Sequence, residues 1–298
     1  MPQAIRTVGF VGLGAMGLPM ATNLARKQFA VRGFDLRPEV RARLVAEGGA
    51  EAITARAAAQ GVDALVLMVV NADQAEQVLF ADGALDALPK GATVVLMATC
   101  APGRVSAMAA RVEAAGCRFV DAPVSGGVGG ATAGTLTIMA AAPRETFMHA
   151  EPLLRALGSN LFHLGEAPGQ GAAMKVVNQL LCGLHIAVAA EGLALAERAG
   201  IDPKLALEIL SGSAASSWML KDRGPRMITT PDKVASAVDI FVKDMGLVLE
   251  AGKAAKMGLP LAAIAEQLFR SASGLGHGAE DDSQVIATYR ALLKPVKA

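Results

Sequence analysis

The chain has few of the residues that mark disulfide scaffolds and metal sites. Its three cysteines, Cys100, Cys117 and Cys182, are scattered, odd in number and without a Cys-x-x-Cys pair or metal-ligand spacing. The four histidines form no cluster either. We therefore expect buried, reduced thiols, a cytoplasmic location and no metal ion.

Charge of one sign and long apolar runs are also scarce. Charged residues make up 18% of the chain, the formal net charge is +1, and no basic cluster stands out. This balance argues against nucleic acid and acidic surfaces as partners. Apolar runs such as residues 64–70 have the length of a strand, so we expect no membrane span. The first predicted strand starts near Ile5, which leaves no space for a signal peptide.

Apolar residues are abundant, and they are arranged in two different patterns. They make up 53% of 298 residues, enough to bury a large core in two domains. Over residues 1–167, apolar strands alternate with helical patterns, which predicts a Rossmann-type, doubly wound α/β domain with a mostly parallel sheet. The predicted strands are Thr7–Leu13, Val31–Asp35, Ala64–Val70, Thr93–Ala98, Arg118–Ala122, Thr135–Ala141 and Asn160–Leu164.

Strand patterns stop near Pro168, and residues 168–298 predict an all-α domain. Its long spine helix covers Ala172–Ala199, and Asp202 and Pro203 have the types of residue that cap and begin the next helix. Further helices are predicted at about 203–212, 216–227, 233–257, 260–273 and 283–292. The alanine-rich composition suits buried subunit interfaces, so we expect a homodimer or homotetramer.

The N-terminal segment carries the pattern of a dinucleotide-binding turn. An apolar strand leads directly into Gly12-x-Gly14-x-x-Gly17, and an apolar helical pattern follows. In such a turn, glycines permit the sharp bend, the approach of a pyrophosphate and close helix packing, and the helix N-terminus attracts the phosphates. The alternative is an ordinary strand-to-helix turn without a ligand, but the complete context favours the dinucleotide.

Asp35, at the end of the second predicted strand, indicates the form of the cofactor. Its carboxylate would accept hydrogen bonds from the ribose hydroxyls and repel a 2′-phosphate, which favours NAD over NADP. Arg37 and Arg41 lie close by and could instead bind that phosphate.

Two further segments could carry chemistry. Ser125 is followed by Gly126 and Gly127 after a predicted strand, and a hydroxyl beside glycine N–H groups can bind a carboxylate. The alternative is a flexible glycine loop. Lys175 and Asn178 are three residues apart on an otherwise apolar helix, so they share a face.

Lys175 is a candidate general acid and base. An apolar helix solvates its ammonium poorly, and desolvation is expected to lower the pKa of Lys175 toward neutrality. Asn178 could orient a substrate hydroxyl. The alternative for Lys175 is an ammonium group that extends to water from the end of the helix and has no catalytic role. The pair Lys243 and Asp244, taken alone, is typical of a solvated surface.

Four segments match the β-hydroxyacid dehydrogenase family in order and spacing, over nearly the whole chain. They are the N-terminal Gly-Phe-Val-Gly-Leu-Gly-Ala-Met-Gly, Asp121 to Gly127, Gly169 to Asn178, and Lys243-Asp244. The resemblance implies that Lys175 is the catalytic acid and base. It implies that Ser125, Gly126 and Gly127 hold the substrate carboxylate, with Asn178 nearby, and it places Lys243 at the cleft for cofactor and substrate.

The resemblance also extends the set of expected cofactor contacts. Thr99 matches a family threonine at the cofactor, although Ala98 stands where the family usually has serine. We expect NAD to contact Gly12, Leu13, Gly14, Ala15, Met16, Gly17, Asp35, Val70, Thr99 and Lys243.

The segment Ser217-Trp218-Met219, with Arg223 and Met227, is most similar to the L-threonate dehydrogenase branch of the family. This resemblance implies reversible hydride transfer from a small hydroxy acid to NAD, with L-threonate oxidised at C2. 3-Hydroxyisobutyrate and tartronate semialdehyde are the alternative substrates. A non-catalytic NAD-binding protein is the alternative of a different class, and the presence of Lys175 argues against it.

Overall fold

The structure is a computed structural model, and it describes residues 4–292. The chain divides into two compact units, Met1–Lys175 and Val176–Ala298. The division falls inside one long helix, which begins in the first unit and continues into the second.

Nine strands of the first unit form one sheet, with the order β3-β2-β1-β4-β5-β6-β8-β7 and with β9 paired to β8. The strands are β1 Thr7–Val11, β2 Ala30–Phe34, β3 Ala50–Glu51, β4 Ala64–Leu67, β5 Thr93–Leu96, β6 Arg118–Asp121, β7 Val124–Ser125, β8 Thr137–Ala141 and β9 Asn160–Gly165. The pairs from β3 to β6 are parallel, β8 runs antiparallel to β6 and β7, and β9 is parallel to β8. This topology confirms the predicted Rossmann-type sheet.

Helices cover both faces of this sheet because its central strands are apolar on both faces. In β4, Ala64 and Val66 pack into one core, whereas Leu65 and Leu67 pack into the other. The helices of this unit are α1 Gly17–Arg26, α2 Pro38–Ala46, α3 Ala55–Ala59, α4 Ala72–Glu76, the π-helix Gln77–Ala81, α5 Ala84–Ala87, α6 Pro102–Ala114, α7 Gly127–Ala133 and α8 Arg144–Leu157.

Three details of the strand prediction were wrong. The two-residue strands β3 and β7 were missed, because two residues are too short for an alternating pattern to show. The last strand, β9, was predicted as one of the apolar strands of the doubly wound sheet, yet none of its residues is buried. It pairs with β8 alone, so it lies at an edge of the sheet.

The amino ends of β1 and β4 are joined through one carboxylate. Asp63 Oδ2 accepts hydrogen bonds from Arg6 N at 2.9 Å, Thr7 N at 2.8 Å and Thr7 Oγ1 at 2.8 Å. The backbone N–H of Asp63 in turn donates to Thr7 Oγ1 at 2.9 Å. This contact fixes the register of the two strands at the edge opposite the loops that follow them.

The second unit is helical, as predicted. Its elements are the long helix α9 Gln170–Arg198, shared with the first unit, and α10 Pro203–Gly212, α11 Trp218–Ile228, α12 Val238–Ala254, α13 Pro260–Ala272, a π-helical turn Ser273–His277, a 3-10 turn Asp282–Val285 and α14 Ile286–Leu292. Asp202 caps α10 as expected, since its side chain accepts from Lys204 N. The prediction of helix at 233–237 was wrong, because Ala237 there forms an isolated antiparallel bridge with Asp281.

Among residues 4–292, α9 alone is long and apolar enough to cross a membrane, judged by length and composition. The sequence predicted this helix as the spine of the second domain. The most apolar window of α9 has a mean hydropathy of 1.6, and 44% of that window is buried within the protein. A core helix of a soluble protein passes the same test.

Candidate active site

The glycine turn between β1 and α1 is held by close backbone contacts. Gly12 has a φ of +91°, and a Cβ on it would lie 2.5 Å from Met68 O. A Cβ on Gly17 would lie 1.8 Å from Gly12 O, so only glycine allows α1 to begin against the end of β1. At Gly14, by contrast, the nearest atom to a Cβ would be Arg37 Nη2 at 3.9 Å, which leaves this side of the turn open.

The start of α1 suits an anion. Met16 at its N-cap makes no side-chain cap, and the first turn contains no acidic residue. The N–H groups and the positive end of the helix dipole are therefore not compensated by a carboxylate of the helix itself. Ala15 is exposed, whereas Met16 is half-buried and packs against the core. The turn thus fits the pyrophosphate of a dinucleotide, with the open side of Gly14 facing the ligand.

The side chain of Asp35 is fixed by the same turn. Its Oδ2 accepts from Leu13 N at 2.9 Å, and its Oδ1 accepts from Arg37 N at 3.0 Å. Arg37 Nε lies 3.0 Å from Oδ1 in an ion pair, and Arg41 Nη1 donates to Asp35 O at 2.8 Å. Burial acts to raise the pKa of Asp35, but the hydrogen bonds and charge of Arg37 and the Leu13 N–H lower it below its ordinary value. Asp35 is therefore an ionised carboxylate, and each of its oxygens accepts two hydrogen bonds, one of them from the Arg37 guanidinium.

Val70 and Thr99 follow two neighbouring parallel strands. Val70 comes after β4 and donates its N–H to Gln74 Oε1 at 2.9 Å, while Thr99 comes after β5 and is half-buried. Because the carboxyl ends of parallel strands meet at one edge of a sheet, both residues lie at the edge where the glycine turn is found.

Ser125 ends the short strand β7, opposite Thr137 of β8. The chain then turns through Gly126 and Gly127, whose φ values are +127° and +60°, and α7 begins at Gly127. A Cβ on Gly127 would meet no atom within 4 Å, so its backbone is open to a ligand. The geometry is that of an ordered turn, and it presents a hydroxyl next to glycine N–H groups.

Lys175 lies in the second turn of α9 and is 7% exposed. Asn178 is half-buried three residues later, and its Nδ2 donates to Gln179 Oε1 at 2.9 Å and to Cys182 Sγ at 3.3 Å. The expectation of a poorly solvated lysine on an apolar helix is therefore met by its burial. Cys182 is half-buried, in contrast to the expected burial of all three cysteines.

Lys243 and Asp244, taken alone, are typical of a solvated surface, but the structure places both side chains largely out of solvent. Lys243 Nζ lies 2.9 Å from Asp244 Oδ1, and the side chain of Asp244 is 3% exposed. Gln179 Nε2 donates to Asp244 Oδ2, so one buried carboxylate joins α9 to α12 within the second unit. Sequence reasoning missed this role of Gln179 and Asp244, since no spacing rule connects residues so far apart in the chain.

The residues around the glycine turn fit a nicotinamide dinucleotide. Gly14 leaves space for a pyrophosphate, the N-terminus of α1 attracts it, and the ionised Asp35 stands at the end of the next strand. Within residues 4–292, no group of three or more His, Cys, Asp or Glu side chains could hold a metal ion.

Two family models together cover most of the chain. Residues 7–165 match the NAD binding domain of 6-phosphogluconate dehydrogenase, and residues 169–289 match the NAD-binding domain of NADP-dependent 3-hydroxyisobutyrate dehydrogenase. The fold, the glycine turn and these matches define an enzyme, a nicotinamide-dependent dehydrogenase.

Full-length relatives narrow the class. The chain is 43% identical to the L-threonate dehydrogenase of Cupriavidus necator over 98% of this chain and 99% of that protein. It is 34% identical to the 3-hydroxyisobutyrate dehydrogenase of Pseudomonas aeruginosa over 95% and 98%. A crystal structure of a 3-hydroxyisobutyrate dehydrogenase from Salmonella typhimurium superposes with a TM-score of 0.91 at 42% identity, covering 94% and 99% of the two chains. The chain belongs to the β-hydroxyacid dehydrogenase family.

Replacing Asp35 should weaken the choice between the two cofactors. We expect the parent enzyme to favour NAD over NADP by at least about tenfold in kcat/KM, or about 1.4 kcal/mol. Asp35→Ser removes the carboxylate that would repel a 2′-phosphate and releases Arg37 from its ion pair. The preference should then narrow, mainly through the KM of NADP. Steady-state kinetics with both cofactors measure this.

The double variant Asp35→Ser/Arg37→Ser is the matched control, because it removes the same carboxylate without leaving a guanidinium for the phosphate. It should gain less with NADP than Asp35→Ser alone. Equal efficiency of the parent with both cofactors would contradict the role given to Asp35.

Proposed function

We propose that this enzyme oxidises the hydroxyl of a small hydroxy acid reversibly with NAD, and that L-threonate, oxidised at C2, is its substrate. The observation that carries the mechanism is Lys175, an amine that is 7% exposed and lies in the second turn of α9. L-threonate is favoured by the 43% identity to an L-threonate dehydrogenase along the full chain, compared with 34% to a 3-hydroxyisobutyrate dehydrogenase.

In the proposed mechanism, the carboxylate of the substrate binds at Ser125. The Ser125 hydroxyl and the N–H groups of Gly126 and Gly127 donate hydrogen bonds to it. Asn178 shares a face of α9 with Lys175 and orients the reacting hydroxyl. These neutral donors bind an acid without placing a second cation beside the lysine.

Lys175 moves the proton. In the oxidation, its neutral Nζ accepts the proton of the substrate hydroxyl as the C–H bond breaks, and in the reduction its ammonium returns that proton to the carbonyl oxygen. When bound, the nicotinamide accepts or supplies the hydride. Gly12 to Gly17, Asp35, Val70 and Thr99 of the first unit bind the dinucleotide.

A screen of substrates tests the identity of the acid. Four-carbon sugar acids, 3-hydroxyisobutyrate and tartronate semialdehyde are assayed through NADH fluorescence, with NAD and NADP in parallel. L-threonate should give the highest kcat/KM. A higher kcat/KM with 3-hydroxyisobutyrate or tartronate semialdehyde would contradict L-threonate as the substrate and favour that compound. If no acid is turned over, a non-catalytic NAD-binding protein is favoured.

We infer further that the enzyme is a cytoplasmic homodimer or homotetramer. Apolar side chains at helical spacing are exposed along one face of α9: Met174 (41%), Val177 (48%), Leu181 (50%), Val188 (64%) and Leu195 (68%). An exposed apolar face of this kind is typical of a protein interface, and a second copy of the chain is the proposed occupant. Sedimentation velocity measures the mass, and a monomer at micromolar concentration would contradict the inference.

Ser125→Ala should weaken acid substrates specifically. Loss of a hydrogen bond to a charged group costs about 1–3 kcal/mol, which lowers kcat/KM roughly 5- to 150-fold. The affinity for NAD should stay the same, because Ser125 is assigned to the substrate. Thr132→Ala is the control, since its hydroxyl donates to Val128 O inside α7. Similar turnover of the acid and its amide by the parent would remove Ser125 from the site.

Lys175→Ala tests the mechanism most directly. If Lys175 transfers the proton, kcat should fall by about 10²–10⁴-fold, whereas the affinity for NAD should hardly change. In the parent, the rate of oxidation should rise with pH as Lys175 loses its proton. Lys175→Arg should not restore activity, because a guanidinium keeps its proton.

A purely structural lysine would behave differently. The variant would then be less stable, but its folded fraction would keep kcat and the pH profile of the parent. A folded Lys175→Ala enzyme with more than about a tenth of the parental kcat would contradict the assignment.

A further inference from the structure

Asp121 is a buried carboxylate aimed at the beginning of α9. It ends β6 and is 1% exposed. Its Oδ2 accepts from Gly169 N at 2.8 Å and from Ala172 N at 2.9 Å, and the N–H of Gly171 also bonds to this carboxylate. The side chain therefore binds donors that the first turn of a helix cannot satisfy internally.

The backbone around this contact leaves little freedom. A Cβ on Gly171 would lie 2.4 Å from Met139 O in β8 and 2.9 Å from Asp121 O in β6. Ser106 Oγ of α6 donates to Pro168 O at 2.8 Å, just before the helix. The first turn of α9 is thus fixed against β6, β8 and α6, and Asp121 supplies the charged hydrogen bonds at its centre.

This arrangement lowers the stability of the fold at neutral pH. Burial raises the pKa of Asp121 to about 6, although the N–H donors of Ala172, Gly169 and Gly171 act to lower it. A carboxyl whose pKa is higher in the folded than in the unfolded protein stabilises the fold while protonated, and this stabilisation is lost as pH rises from about 4 to about 6. A buried group that costs stability in its ionised form is typical of a functional position.

We propose that Asp121 is a positioning residue, which holds the first turn of α9 so that Lys175 is placed for proton transfer. The inference rests on the role proposed for Lys175. Asp121 acts on Lys175 through α9. Ala172 is the last residue of this helix that donates to Asp121, and Lys175 follows it by three positions in the same helix. A displacement of about 1 Å at a catalytic group can cost about a hundredfold in rate.

Protonation should weaken this hold. Hydrogen bonds to an ionised acceptor are about twice as strong as those to a neutral one. The groups packed against Asp121 offer few other charges: its register partners Leu96 in β5 and Ala141 in β8 are apolar, and the first turn of α9 contains Gln170, Gly171 and Ala172 before Lys175. The charge that changes near pH 6 at this point is then that of Asp121 itself.

The pH profile of kcat for reduction of the keto acid distinguishes the ionisation of Lys175 from that of Asp121. Lys175 must be protonated to act as the acid, so its titration lowers the rate only toward high pH. Loss of kcat toward low pH, with a midpoint near 6, would report Asp121. Asp121→Asn should lower kcat about 10- to 100-fold, remove this acid limb and leave the Kd of NADH within about twofold. Asp121→Ala should be slower than Asp121→Asn, which keeps one acceptor oxygen.

Asp63→Asn is the matched control. It makes the same change in a carboxylate that also accepts backbone N–H groups, but at the amino ends of β1 and β4. It should lower the midpoint of denaturation and leave kcat and the acid limb unchanged. An equal loss of kcat in Asp63→Asn would overturn a positioning role, because general destabilisation would then explain both variants.

Hydrogen exchange of the parent provides a readout independent of turnover and of the folding of variants. The protection of the amides of Gly169 and Ala172 should change between pH 5 and pH 7, after correction for intrinsic rates, while that of Thr7 should not change. Equal protection at both pH values, or an Asp121→Asn enzyme with parental kcat and an unchanged acid limb, overturns the proposal. If the role of Lys175 fails instead, Lys175→Ala keeps its kcat while the exchange result still stands.

Discussion

The candidate site of the first unit depends on the common direction of its parallel strands. All neighbouring strands from β3 to β6 in the sheet pair in parallel. The turns after β1, β2, β4 and β5 therefore lie at one edge of the sheet. Gly12, Asp35, Val70 and Thr99 reach this edge from strands that are far apart in sequence. The arrangement requires strands covered on both faces, which agrees with the burial of every residue of β4 and β5.

Carboxylates hold backbone together at three points of this unit. Asp35 accepts N–H groups from the glycine turn and its own loop, Asp63 accepts them at the start of β1, and Asp121 accepts them at the start of α9. Each joins segments that are not neighbours in the chain. The three differ in their surroundings, and Asp121 is the one whose pKa burial raises to about 6.

Local patterns in the sequence were sufficient to predict most of the elements. The glycine turn, the apolar strands and the helix cap at Asp202 each depend on residues a few positions apart, where the physical rules are strong. The two-residue strands β3 and β7 could not be predicted, because pairing with neighbours and not their own pattern defines them.

The same distinction applies to the site. Lys175 could be selected from its apolar helix and from the family resemblance, and its burial fits the expectation. Two other contacts could not be predicted, because their partners are far apart in the chain. Asp244 and Gln179 are 65 residues apart, and Asp121 and Gly169 are 48 residues apart. Similarly, the residue types alone could not predict whether Arg37 pairs with Asp35 or is available for a 2′-phosphate. The structure shows the ion pair with Asp35.

The bond between β6 and the start of α9 has a consequence for anyone who divides this protein. The two family matches end at residue 165 and begin at residue 169, which suggests a cut between them. Such a cut would leave Asp121 in the excised sheet fragment and remove all three of its backbone donors. The fragment would then lack the donors that compensate this carboxylate in the whole protein. A soluble sheet fragment needs the first turns of α9 attached, so the physical end of this module lies inside a helix.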